Sequence, residues 1–212
     1  MQELDRLIAG YRRFRHGDWQ RQRARWAELA EGQQPRVMVI ACSDSRVDPS
    51  QIFDVSPGEI FVVRNVANLV PPFELSEGHH GVSAALEFAV NQLGVAEVVV
   101  LGHGACGGVR AALDHAFEGE PPGRGGFIAD WMSLIADARD RVVATLGDGP
   151  AAVHALEQEC VKVSLANLRT FPCIPEHEAA GRLRLQGAYF AIADGVLHLL
   201  DEATGVFSPV AS

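Results

Sequence analysis

The chain lacks several features that mark membrane, secreted or nucleic-acid-binding proteins. It contains no run of about 18 or more apolar residues, so neither a membrane-spanning helix nor a membrane partner is expected. Its first residues lack the apolar stretch and the small-residue cleavage site of a signal peptide, which predicts a cytoplasmic location. The net charge of −9 provides no basic surface for phosphate groups and argues against a nucleic-acid partner.

Cysteine is also scarce, with four residues in the chain. Cysteines of a cytoplasmic protein are more typical of metal or catalytic sites than of disulfides. No Cys-x-x-Cys pair occurs, which argues against a thiol-redox protein. Cys160 and Cys173 lie far along the chain and are expected to be ordinary thiols. Cys42 and Cys106 are therefore the cysteines to which we assign chemistry.

The composition is typical of a globular protein, with 48% hydrophobic and 21% charged residues. The length favours a single domain over residues 1–212, of which residues 1–30 form an N-terminal helical arm. Arginines between Arg12 and Arg25 are interpreted as a solvated or subunit-packing face of this arm rather than as a binding patch. The apolar residues at helical spacing in the arm are Leu4, Leu7, Ile8, Tyr11 and Phe14.

After the arm, short apolar runs alternate with segments of helical periodicity. The predicted strands are 37–41, 59–64, 97–101, 182–190 and 196–200, and the predicted helices are 81–93, 129–146 and 151–171. Alternating strands and helices indicate an α/β fold, in which helices flank a central, mainly parallel β-sheet. The last predicted strand forms a C-terminal edge of this sheet.

Residues that can hold a metal ion follow two of the predicted strands. The first strand runs into Cys42-Ser43-Asp44-Ser45-Arg46, and the third runs into His103-Gly104-Ala105-Cys106. Adjacent strands lie about 5 Å apart, so side chains at their carboxyl ends can share one ion. Two thiolates and one imidazole are a zinc ligand set, and three protein ligands leave the fourth position open for water, as catalytic zinc sites require.

Two other interpretations of these segments are less favoured. A His-x-x-Cys pair alone can arise by chance, but Cys42 and Asp44 at another strand end argue against coincidence. The glycines of the sequence GHGACGG suggest a phosphate loop, yet no Gly-Lys-Ser/Thr follows them. We expect these glycines to let the backbone pass close to the metal and to start the next helix tightly.

The longer motifs around these residues resemble those of a known family. The strings ACSDSRVDPSQIFDVSPGEIFVVRNVANLVPPF and VVVLGHGACGGVRAAL are similar to the β-class carbonic anhydrases, especially their plant-like branch. The similarity is strong over residues 33–106 and looser through NLRTFP and LQGAYF. It implies one zinc ion per chain, held by Cys42, His103 and Cys106. It also implies reversible hydration of carbon dioxide to bicarbonate and a proton through a zinc-bound hydroxide.

The resemblance also implies roles for further residues. Asp44 and Arg46 would form a catalytic dyad beside the zinc, and Asp44 can also move onto the metal as a fourth ligand. Gln33 would form a hydrogen bond with the substrate. Phe61 and Val66 would line the carbon dioxide pocket, although plain core positions explain these two residues equally well.

Assembly and regulation follow from the same resemblance. The family buries its active site at a subunit interface, so self-association as a homodimer or tetramer is expected. Many bacterial members bind regulatory bicarbonate through a tryptophan, an arginine and a tyrosine. The arginine is present here as Arg64, but the other two positions hold Val39 and Phe190. We therefore predict an open site, with Asp44 paired to Arg46 and no cooperative inhibition by bicarbonate.

Two alternative functions remain open at this point. An enzyme of the same fold and the same zinc site could hydrolyse carbon disulfide or carbonyl sulfide, because both are linear molecules like carbon dioxide. A non-catalytic zinc-binding module is the second alternative. Such a module would have lost a ligand or a member of the dyad, and the chain retains all five residues.

Overall fold

The computed structural model describes residues 2–76 and 78–211, which fall into two compact units divided between Gln34 and Pro35. The first unit contains the helices α1 (Glu3–His16), α2 (Asp18–Arg21) and α3 (Arg23–Glu31). Phe14 packs edge-on against Trp26 within this unit, with ring centroids 5.8 Å apart. The predicted arm is therefore helical, and the assignment of residues 1–212 to a single domain stays a prediction.

The second unit is built on one six-stranded sheet with the strand order β2-β1-β3-β4-β5-β6. Strands β2, β1, β3 and β4 are parallel, while β5 and β6 continue the sheet in antiparallel fashion. This arrangement confirms the predicted α/β fold. The strands are β1 (Val37–Cys42), β2 (Ile60–Asn65), β3 (Glu97–His103), β4 (Arg184–Ala191), β5 (Val196–Asp201) and β6 (Val206–Pro209).

Two details of the strands differ from the prediction. Strand β3 is longer than the apolar run 97–101, because Gly102 and His103 pair with Tyr189 and Phe190 of β4. The sheet also continues past β5 to β6, which reading the sequence missed. Strand β6 is short, mostly exposed and ends in proline, as is common for edge strands but too brief to give a period-two pattern.

The helices of the second unit are interrupted more often than periodicity indicates. The predicted helix 81–93 begins as α-helix and ends as a π-helical segment, Phe88–Leu93, which Gly94 terminates in the left-handed conformation. The predicted helix 129–146 is two helices joined by a 3₁₀ turn at Ser133–Ile135. The helices are α4 (Pro49–Ile52), α5 (Gly81–Glu87), α6 (Gly107–Leu113), α7 (Gly126–Met132), α8 (Ala136–Leu146), α9 (Pro150–Leu168) and α10 (Cys173–Ala179).

Helix α9 takes part in two apolar clusters of the core. Val161 and Leu165 pack in a cluster with Met38 of β1, whereas Leu156 packs in a second cluster that contains Cys42 and Cys106. Burial of a large aliphatic side chain contributes about 1.5–3 kcal/mol, so both clusters hold α9 firmly in the second unit. Within residues 2–76 and 78–211, no helix combines the length and the hydropathy that crossing a membrane requires.

Candidate metal centre

The carboxyl ends of β1 and β3 bring three metal-binding side chains together. The strands are adjacent and parallel, with Ala41 opposite Leu101, so Cys42 and His103 leave the sheet at the same edge. Cys106 returns to them at the start of α6. The ligand atoms of Cys42, His103 and Cys106 all lie within 4.8 Å of one another, and all three residues are buried. We call this group the Cys-His-Cys cluster.

The donor atoms of the cluster suit a zinc ion, and the free nitrogen of its histidine is available to bind one. Nδ1 of His103 lies 2.9 Å from the carbonyl oxygen of Gly104, and a carbonyl can only accept, so Nδ1 carries the proton. The buried Nε2 of His103 has no hydrogen-bond partner among the residues that the structure describes. It therefore presents a free lone pair toward a metal, in the tautomer that metal-binding histidines adopt. Two sulfur donors complete a set that zinc favours.

The two thiols of the cluster interact strongly with each other. The neighbouring Cys106 thiol lowers the pKa of Cys42 well below its usual range, through a hydrogen bond to the Cys42 sulfur. The same hydrogen bond, together with burial, raises the pKa of Cys106. A divalent metal ion bound here would displace the thiol protons, since metals bind the deprotonated form.

Asp44 and Arg46 form a two-pronged ion pair in the loop that follows β1. Nε of Arg46 lies 2.9 Å from Oδ1 of Asp44, and Nη2 lies 2.6 Å from Oδ2. The backbone N–H of Arg46 donates to the same Oδ1 at 3.0 Å. These bonds hold the pKa of Asp44 well below its usual range, so the carboxylate stays ionised. This is the pairing expected from the sequence, and the catalytic role stays a prediction.

Arg64 braces the same loop from β2. Its guanidinium donates to the carbonyl oxygens of Cys42, at 2.9 Å, and Asp44, at 2.6 Å. It also pairs with Oδ2 of Asp48 at 3.1 Å, and Asp48 caps α4 through the N–H of Ser50. We call residues 42–46 the first ligand loop. The hydrogen bonds from Arg64 to the two carbonyl oxygens fix the shape of the first ligand loop.

Residues 103–106, the second ligand loop, are held mainly by distant elements. The N–H of Gly104 donates to the carbonyl of Phe190 at 3.0 Å, and the carbonyl of Ala105 accepts from Nη2 of Arg46 at 2.9 Å. The N–H of Cys106 donates to Oε1 of Glu157 at 2.9 Å. Ala105 itself adopts a left-handed backbone with φ +56°, which is unfavourable for a residue with a side chain.

Two glycines that flank the second ligand loop leave room for neighbouring side chains to pack against the backbone. A Cβ at Gly102 would lie 2.6 Å from Cγ2 of Val161, and a Cβ at Gly108 would lie 2.6 Å from Cγ1 of Val66. The expectation that these glycines clear space for the metal needs correction at both positions, because the close neighbours are valine side chains of α9 and of the segment after β2.

One residue of the site, Glu157, has no counterpart among the predictions from the sequence. Glu157 of α9 is only 3% exposed, and its second oxygen accepts a hydrogen bond from the hydroxyl of Tyr189 at 2.9 Å. Burial and the neighbouring Glu157 raise the pKa of that hydroxyl. The signal in the sequence was a charged residue on the apolar face of a helix, which is rare unless the charge has partners.

The residues proposed for substrate contact lie in different surroundings. Val66 follows β2, is 37% exposed and packs beside Gly108, two residues beyond Cys106. Phe61 instead packs against the core cluster of Met38 and contacts Phe88, with ring centroids 6.0 Å apart. Gln33 is exposed in the first unit, in the segment after α3. The roles of all three stay predictions.

The remaining cysteines are free thiols. Cys160 is buried in α9, and Cys173 is half-buried at the start of α10. Burial raises the pKa of both thiols, which therefore stay protonated and inert. Neither belongs to the Cys-His-Cys cluster, as the sequence led us to expect.

Comparison with known proteins agrees with the site. The carbonic anhydrase family profile matches residues 37–197. Beta carbonic anhydrase 3 of Arabidopsis thaliana is 34% identical over 199 residues, which cover 92% of this chain and 76% of that protein.

Solved structures show the same fold. The β-carbonic anhydrase CcaA superposes with a TM-score of 0.88 at 31% identity, covering 99% of this chain and 92% of its own. A structure from a study of two tetrameric β-carbonic anhydrases of Sordaria macrospora gives a TM-score of 0.78 at 28% identity, covering 98% of each chain. This chain belongs to the β-class carbonic anhydrases.

Proposed function

We propose that this chain catalyses the reversible hydration of carbon dioxide to bicarbonate and a proton, using one zinc ion held by Cys42, His103 and Cys106. The observation that carries the proposal is the convergence of the three ligand atoms within 4.8 Å, at a strand edge where Asp44 and Arg46 also meet. Family membership supports both the reaction and the metal.

The chemistry divides between the metal and the dyad. A bound zinc ion would act as a Lewis acid that activates water for attack on carbon dioxide near neutral pH. Asp44, kept ionised by Arg46, accepts a hydrogen bond from the attacking nucleophile and orients it. The two-pronged bond from Arg46 orients the carboxylate of Asp44 while the pair is intact. Asp44 is also proposed as the residue that can occupy the fourth position on the metal.

For the substrate we propose an apolar pocket with one polar contact. Val66 is the best supported wall residue, because it is part-exposed and lies beside the helix that Cys106 starts. Phe61 as a second wall and Gln33 as the hydrogen-bonding group follow from the resemblance of the motifs. Carbon dioxide is apolar and linear, so a pocket of this kind would admit it without competing hydrogen bonds.

We further propose that the chain works in the cytoplasm as a homodimer or tetramer, with residues 1–30 packing between subunits of a single-domain protein. Helix α1 exposes a stripe of apolar side chains, including Leu4, Leu7 and Tyr11 at 60–71% exposure. Such a stripe on a solvent-facing helix is typical of an interaction surface. The Sordaria macrospora enzymes, described as tetrameric, are relatives that assemble.

Stopped-flow hydration of carbon dioxide, measured with and without a zinc chelator, tests the reaction. We expect activity that rises toward alkaline pH and disappears with the metal. Parallel assays on carbon disulfide and carbonyl sulfide test the substrate class. Hydrolysis of either, without turnover of carbon dioxide, would refute the proposal. Light scattering that gives an active monomer at micromolar concentration would refute the assembly.

A further inference from the structure

The peptide unit between Ala105 and Cys106 is held at both ends. Its carbonyl oxygen accepts from Nη2 of Arg46 at 2.9 Å, and its N–H donates to Oε1 of Glu157 at 2.9 Å. Arg46 belongs to the first ligand loop and Glu157 to α9. One peptide plane is thus fixed between the dyad and a carboxyl group of the core.

Glu157 is itself immobilised. It lies on the buried face of α9, next to Leu156 and Val161, and is 3% exposed. Its other oxygen accepts from the Tyr189 hydroxyl at 2.9 Å, and that hydroxyl lies 3.1 Å from Nδ1 of His154. A carboxyl group in such a place destabilises a fold unless hydrogen bonds compensate for its lost hydration. Here one of the compensating bonds comes from a residue of the Cys-His-Cys cluster.

The conformation of the second ligand loop needs such a restraint. Ala105 has φ +56°, in a region that residues with a side chain adopt only when their surroundings impose it. Rotation of the following peptide plane would change ψ of Ala105 and φ of Cys106. It would also turn the Ala105 carbonyl away from Arg46 and change the direction of the Cys106 side chain.

We propose that Glu157 is a positioning residue. It fixes the Ala105–Cys106 peptide so that the Cys106 sulfur faces Cys42 and His103 while the carbonyl of Ala105 supports Arg46. The inference rests on the proposed function, because it takes Cys106 as a zinc ligand. It predicts that Glu157 affects both metal binding and the support of Arg46, although Glu157 is neither a proposed metal ligand nor a member of the dyad.

Two substitutions separate positioning from simple packing. In Glu157→Gln the amide oxygen can still accept from the Cys106 N–H. Its NH₂ group can donate to the Tyr189 oxygen, whose own proton can turn to Nδ1 of His154 when that histidine carries its proton on Nε2. In Glu157→Ala the N–H of Cys106 loses its acceptor. Asn167→Ala is the matched control, because Asn167 is on the same helix and its side chain donates to the carbonyl of Val70, away from the second ligand loop.

The experiment uses the full-length protein loaded with zinc or with cobalt. We expect Glu157→Ala to bind zinc about 10- to 100-fold more weakly, a magnitude usual for loss of an outer hydrogen bond to a ligand. Its cobalt form should show altered thiolate-to-cobalt absorption bands. Glu157→Gln and Asn167→Ala should resemble the wild type in both measurements. If Glu157→Ala does not fold, Glu157→Met, which fills the volume without an acceptor, replaces it.

The outcomes distinguish this inference from the proposed function. Wild-type zinc affinity and cobalt bands in a folded Glu157→Ala or Glu157→Met protein would overturn the positioning role. So would a Glu157→Gln protein that loses zinc as strongly as Glu157→Ala, because the hydrogen-bond acceptor would then not be the relevant property. A wild-type protein that neither retains zinc nor hydrates carbon dioxide would refute the proposed function instead.

Discussion

The two ligand loops reach the same metal centre but are held in different ways. The first ligand loop is fixed by its own Arg46 and by Arg64 of the neighbouring strand, 22 positions along the chain from Cys42. The second ligand loop depends on Arg46, 59 positions from Ala105, and on Glu157, 51 positions from Cys106. One loop is shaped by nearby sequence and the other by packing of the whole second unit.

The surroundings of the two loops differ as well. The guanidinium of Arg46 is about half-exposed, so solvent screens its pair with Asp44, whereas Glu157 is buried. Loss of a charged partner near solvent costs little free energy, whereas loss of a buried hydrogen-bond acceptor costs more. The dyad is therefore the more solvent-screened side of the site, and the contacts of Cys106 are the more buried side.

The largest expected effect tests whether both loops hold one metal ion. Cys42→Ala removes a ligand from the first loop and Cys106→Ala removes one from the second. Each should lose bound zinc and hydration activity together, as should His103→Ala, because the three ligands jointly determine affinity. Metal analysis after dialysis measures this. The control Cys173→Ala should retain zinc, and full occupancy in Cys106→Ala would contradict the shared site.

Replacement of the dyad should separate catalysis from metal binding. Asp44→Ala is expected to retain zinc but to lose at least about 10²-fold in hydration rate, since the nucleophile loses its orienting partner. Arg46→Ala should lose similar activity and also weaken zinc binding, because Arg46 supports the Ala105 carbonyl of the second loop. Steady-state kinetics and zinc titration measure the two effects. Wild-type turnover in both variants would show that the dyad has no catalytic role.

Arg64→Ala tests how much the hydrogen bonds of Arg64 contribute to the stability of the protein. The substitution removes three charged hydrogen bonds and should lower the free energy of unfolding by about 2–4 kcal/mol. Arg169→Ala is the matched control, because Arg169 pairs with Glu178 and Glu202 at the surface and should contribute about 0–1 kcal/mol. Urea denaturation measures both values. Equal losses would show that the brace on the first loop is no stronger than a surface pair.

The smallest expected effect is the response to bicarbonate. Val39 and Phe190 supply no polar group, and the Tyr189 hydroxyl donates to Glu157 rather than to an anion. The guanidinium of Arg64 is occupied by the first ligand loop and by Asp48. An anion that leaves water needs replacement hydrogen bonds, so inhibition by bicarbonate should follow a hyperbolic curve. A sigmoidal curve would show that a regulatory site exists despite these substitutions.

The sequence predicts the elements correctly where the pattern lies within one segment. The apolar runs beginning at Val37 and Glu97 predicted β1 and β3, and parallel pairing then placed Cys42 and His103 at one edge. The sequence does not predict short or irregular elements that depend on their neighbours in the fold. Strand β6 is visible only through its pairing with β5, and the π-helical end of the 81–93 segment has no counterpart in a 3.6-residue period.

The sequence by itself determined the α/β fold and the three ligands proposed for zinc, because these depend on periodicity and on motif spacing, and the resemblance of its motifs to a family implied the Asp44–Arg46 pair. Only the tertiary structure decided which groups hold the second ligand loop. Glu157 meets Cys106 because α9 packs against β3 and β4, where Val161 lies against Gly102 and Gly187. That packing depends on apolar surfaces with no preference for one partner, so the contact is set by the folded chain as a whole and by no local pattern.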